Sequence, residues 1–139
     1  MKDNLPTQIE ELSGLYDEKI EKLLKLIENQ KRQIEVLGFG NGEVSARIAI
    51  VNEKIIKSMV KLDQKIEKVA ETLPGSSRLI EKSDEVFSLI DIARANHEII
   101  QKKMEQCLND VKKELNMVQV KRQLARHLHG TKLWTATHC

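Results

Sequence analysis

"IARANHEIIQKKMEQCLNDVKKELNMVQVKRQLARHLHG", residues 92–130, runs without proline and without glycine until its last position. Its apolar residues recur in steps of three and four, which predicts one long helix. Each residue adds about 100° of rotation. With Val111 set at zero, His97, Ile100, Met104, Cys107, Leu108, Leu115 and Val118 fall within a sector about 100° wide. Met117, Val120, Leu124 and Leu128 fall elsewhere, between roughly 180° and 260° by the same arithmetic. A single straight helix therefore carries two apolar stripes on different sides. The core of a small bundle can receive one of them. The other is met either by a kink near Asn116 that folds the end back onto its own bundle, or by a partner.

Two breaks organise the rest of the chain. "GFGNGE" (38–43) places three glycines in six positions, with Gly38 expected to take the left-handed cap after Leu37 and Asn41 to cap the next helix. "LPGSS" (73–77) stops a helix at Pro74 and Gly75 and offers Ser76 or Ser77 to start another. Before the first break Ile9, Leu12, Tyr16, Ile20, Leu23, Ile27, Ile34 and Leu37 step by threes and fours, with Gln30 interrupting the seam. Between the breaks the series is Val44, Ile48, Val51, Ile55, Met59, Leu62, Ile66, Val69 and Leu73. After the second break it is Leu79, Ser83, Val86, Ile90, Ala93, His97 and onward through Val118. This heptad-like pattern predicts an all-α fold, an antiparallel bundle of three long helices with coiled-coil-like packing. The helices are expected at about 5–37, 42–73 and 77–129, in one helical domain spanning 1–139 with 130–139 a loose tail. At about 1.5 Å per residue the first two reach roughly 50 Å and the third roughly 80 Å. The third is then too long for its partners, and its end is kinked or overhanging.

Composition agrees with long helices. Aromatics are 3% of the chain and charged residues 32%, so no globule is packed around large rings, while 40% apolar content is too high for a disordered chain. Cys107 is expected on the buried stripe and Cys139 is the final residue, so no disulfide framework is implied and a reducing cytoplasm fits. "MKDNLPTQIEEL" has no apolar signal core, and no apolar run approaches membrane-spanning length. The expected location is the cytoplasm, without membrane insertion.

No enzyme motif is present: no GxxxxGK[ST], no GxGxxG and no nucleophile elbow. We therefore expect no catalytic residues, no cofactor and no metal. His127 and His129 lie two apart and would point to different sides of a helix. His97 sits at a core position, where a histidine is usually satisfied by a hydrogen bond. Trp134, the single tryptophan, is expected to anchor the tail.

The basic end bears on partners. From Lys112 onward come Lys112, Lys113, Lys121, Arg122, Arg126 and Lys132, against Glu114 alone. Lys121, Arg122 and Arg126 would favour an acidic partner and speed its encounter. Nucleic acid ranks last, because no aromatic residues interleave the charges and no binding motif is present.

Two stretches carry a resemblance. "VNEKIIKSMVKLDQKIEKV" (51–69) and "IARANHEIIQKKMEQCLNDVKKEL" (92–115) resemble the middle and long final helices of the small flagellar type III export chaperones of the FlgN and FliT type. Together they cover somewhat under half the chain. Family members often carry a tyrosine near the end of the final helix, and "RQLARHLHG" has none. The resemblance implies a chaperone of the bacterial cytosol for a late flagellar subunit, a hook-associated or cap protein. It would cover the subunit's amphipathic C-terminal helical segment, prevent premature assembly and deliver it to the export apparatus. The partner-binding positions would be Val111, Leu115, Met117, Val118, Val120, Leu124 and Leu128, with Lys121, Arg122 and Arg126 beside them. The alternative is a structural coiled-coil subunit of a permanent helical assembly. A homodimer is compatible with either, and Gln30 fits either as a register-setting or a tolerated polar residue.

Overall fold

The computed structural model describes residues 5–74 and 79–127. Three helices account for almost all of them, α1 (Leu5–Gly38), α2 (Gly42–Glu71) and α3 (Ile80–His127), and among the described residues no strand forms. The fold is all-α, with helices packed against one another as the apolar periodicity requires. Contacts cluster into two units, Met1–Lys103 and Met104–Cys139.

In the first unit α1 is the central helix, because it faces two neighbours. Its links to α2 span 44 positions at Lys19–Asp63, 19 at Gln33–Asn52 and 12 at Gln33–Ser45. Separation shrinks as α1 ascends, so α1 and α2 are antiparallel. Its links to α3 hold a nearly constant offset: 69 and 65 positions from Lys82 to Ser13 and Asp17, 63 and 66 from Gln30 to Ala93 and Asn96. α1 and α3 are therefore parallel, as short connections through an antiparallel α2 dictate. The core is built from Leu23, Leu26, Ile27, Met59, Val86 and Ala93, with Tyr16, Ile20, Ile55, Leu89 and Ile90 packed against it.

The α1–α2 turn corrects one expectation. Gly38 stays in the helix, and Gly40 takes the left-handed conformation at φ 74°. The Asn41 N–H donates to Val36 O and the Gly40 N–H to Leu37 O, both at 2.9 Å. That pair of bonds is a Schellman motif, which closes the orphan carbonyls at the helix end. The left-handed residue must follow the C-cap, here Phe39, so the requirement falls on Gly40. Asn41 caps α2 as expected, its side chain accepting from the Val44 N–H at 3.2 Å.

The core holds polar residues that an apolar pattern passes over. Gln30 is buried, as its seam position implies, and reaches α3: its Nε2 donates to the Ala93 carbonyl at 3.0 Å and its Oε1 accepts from Asn96 at 3.4 Å. Gln33 does the same toward α2, donating to the Ser45 carbonyl at 3.1 Å and accepting from Asn52 Nδ2 at 2.8 Å. Two amides three residues apart thus tie the central helix to both neighbours. Each such bond, made where water is excluded, costs more to break than it gains on forming.

Two expected core positions move. Val51 is exposed and Asn52 is buried in its place. A strict seven-residue step back from Met59 lands on Asn52 and Ser45, and packing follows that step although the residues are polar. His97 is likewise exposed and Asn96 turns inward. The seam of α3 runs Val86, Ala93, Ile100 at intervals of seven, and the heptad's step of three from Ala93 lands on Asn96, one residue short of His97. His97 falls off the edge.

Candidate partner-binding segment

Residues 104–127 form the described part of the second unit, and all of them belong to α3. The sequence here is rich in Leu, Lys, Glu, Gln and Met, strong helix formers without a β-branched run, and the helix is unbroken across Asn116. No kink forms there.

Burial along α3 ends at Ile100, the last of its core residues. Within the segment Met104 and Cys107 are half-buried, and from Leu108 to Leu124 every residue is exposed. The expected continuation of the seam through Val111, Leu115 and Val118 is therefore not buried. The seven large apolar side chains Leu108, Val111, Leu115, Met117, Val118, Val120 and Leu124 range from 45% to 61% exposed. Isolated exposed leucines are ordinary on protein surfaces; two ordered stripes on one helix are not. Cys107, expected as a small buried hydrophobe, is a free half-buried thiol.

The site residues expected from sequence divide cleanly. Val111, Leu115 and Val118 share one side of the helix with Leu108. Met117, Val120 and Leu124 share the other, about 180° to 240° around from Val111. Leu128 lies outside the described residues, as do His129, Trp134, His138 and Cys139. Lys121, Arg122 and Arg126 are exposed and none takes part in the ion pairs found among the described residues. The interhelical pairs Lys19–Asp63 and Lys82–Asp17 instead lie in the first unit. The end of α3 is thus apolar on two sides, with its cations uncommitted to any acid of the described chain.

Among the described residues no three His, Cys, Asp or Glu side chains are placed to hold a metal ion, and no helix is long and apolar enough to cross a membrane. Leu108 joins the apolar set although the resemblance did not single it out; the step of three to Val111 was the signal. No protein-family model matches the chain, and neither a curated protein nor a solved structure does.

Proposed function

We propose that this protein is a non-catalytic binder of amphipathic helices, an export chaperone of the FlgN/FliT type, and that residues 104–127 receive its client. The observation that carries this reading is the exposed stripe of Met117, Val120 and Leu124, with the exposed cation Lys121 at its edge. A client helix with apolar anchors three and four residues apart would lay them on that stripe, as helix-in-groove recognition requires. Met117 adapts to varied side chains, because its thioether is flexible and polarisable. An acidic residue on the client's rim would meet Lys121 and speed encounter more than it deepens affinity.

In the cytosol such a chaperone would hold the C-terminal helical segment of a hook-associated or cap protein, which would otherwise expose its own apolar face. Covering that face needs no nucleotide and no metal. Release would follow from competition by the export apparatus.

A synthetic peptide spanning the C-terminal helical segment of a flagellar hook-associated protein, titrated by calorimetry, tests this. The double change Met117→Asp with Leu124→Asp is expected to abolish binding while leaving helicity and the melting of the first unit unchanged. Equal binding by wild type and variant overturns the reading, and so does unfolding of the free variant. Melting that depends steeply on protein concentration, with no peptide bound, would favour a permanent helical assembly instead.

A further inference from the structure

The first stripe asks for a different occupant. Leu108, Val111, Leu115, Val118 and Arg122 follow one another at alternating steps of three and four, which makes a coiled-coil seam. All five are exposed on a continuous helix. One flank of the seam carries Glu105, Lys112 and Arg126, and the other carries Glu114 and Lys121. Acids stand toward the start of each flank and a base at its end. A helix with that polarity is complementary to itself reversed.

We propose that this stripe is the interface of a homodimer, in which residues 105–127 of two copies pair antiparallel about a two-fold axis near Asn116 and Met117. In an antiparallel coil, flanks of the same kind meet across the seam, and two-fold symmetry makes each contact occur twice. With Leu115 packed on Val118 of the second copy, Glu105 faces Arg126 and Glu114 faces Lys121. Every charged flank pair is then opposite in sign. Arg122 meets Val111 of the second copy, laying its aliphatic stem over the valine and holding its guanidinium in water.

Charge also rejects the competing arrangements. Sliding the pair by one heptad keeps the seam apolar but sets Lys112 against Lys112 and Glu114 against Glu114. A parallel pair places Arg122 on Arg122 within the seam and Lys121 beside Arg126. Like charges at such positions select against the wrong register and orientation. The pairing does not rest on the client reading. Its apolar seam lies on one side of the helix and leaves Met117, Val120 and Leu124 facing outward, with only Lys121 at the border of the two, so either conclusion can fail alone.

Sedimentation equilibrium of the full chain, from micromolar to near-millimolar concentration, measures the association. A monomer–dimer equilibrium is expected. Glu114→Lys should weaken it about tenfold, since two favourable pairs per dimer become repulsive. Adding Lys121→Glu should restore it. Both residues are exposed, so helicity should be constant across the series. Orientation is read by oxidative cross-linking, with Cys107 and Cys139 replaced by serine. A mixture of Leu115→Cys and Val118→Cys chains should form the mixed disulfide, and neither chain alone should link to itself. A monomer at every concentration, a dimer indifferent to Glu114→Lys, or self-linking by either cysteine variant alone overturns the proposal.

Discussion

Leu23 and Leu115 share a local apolar spacing: each is a helical leucine with apolar neighbours three and four positions away. Leu23 is 2% exposed and Leu115 is 56% exposed. The difference is not written in helix propensity, which is high in both places, but in what stands opposite. Around Leu23 three helices meet, because α2 and α3 are held to α1 by apolar contact and by the amides of Gln30 and Gln33. Leu115 lies beyond Ile100, the last buried residue of α3, and has no such burial. One part of the molecule is stabilised by burial, and the other retains helix without it. Helical stability in water comes chiefly from packing of an apolar face, so the second region is the one with energy left to gain from company.

Hydrogen exchange gives the widest separation between the two. At concentrations where the chain is monomeric, amides near Ile100 should open only with the whole first unit, while those near Val120 open locally. A ratio of about a thousandfold or more is expected from a domain of ordinary stability beside a marginal helix. Comparable protection at both places would mean that the segment is packed after all. Client peptide or self-association should raise protection only in the second region.

Paired truncations sharpen the same contrast. Leu23→Ala should cost about 2–5 kcal/mol, as buried leucines do, whereas Leu115→Ala in the monomer should stay within about 0.5 kcal/mol. Urea denaturation of dilute protein reads both. A large loss at Leu115 would show that it contributes to the folded monomer.

Smaller effects are expected from the glycines. Gly40→Ala forces a side chain into the left-handed region and should destabilise by about 1–2 kcal/mol. Gly14 is exposed within α1 with open space around the position a Cβ would take, so Gly14→Ala should stabilise by about 0.8–1 kcal/mol. Thermal melting separates the two by sign, and both changes should leave peptide binding at residues 104–127 untouched.

Much of this was legible in the chain itself. Helices expected at about 5–37, 42–73 and 77–129 correspond to Leu5–Gly38, Gly42–Glu71 and Ile80–His127, because heptad periodicity over dozens of residues is a strong signal. The conflict between the stripes at Val111 and Met117 was also legible, since it follows from rotation per residue alone. Asn52, Ser45 and Gln33 were not, because a search for apolar periodicity discards the polar residues that occupy the same heptad positions. The sequence points to Gly38, the first glycine after the apolar run, for the turn, but the position of the left-handed residue depends on where the last helical bonds close, which is at Gly40.

The chain's pattern, without any coordinates, determines three helices, a parallel relation between first and third by way of short connections, and two apolar sides on the last. Tertiary structure alone decided which amides are buried, which of His97 and Asn96 turns inward, and that burial on α3 ends at Ile100. The physical reason is that periodicity is a property of one helix, whereas burial belongs to a pair. A side chain leaves water only where another helix is present at its level, and that depends on the register between helices.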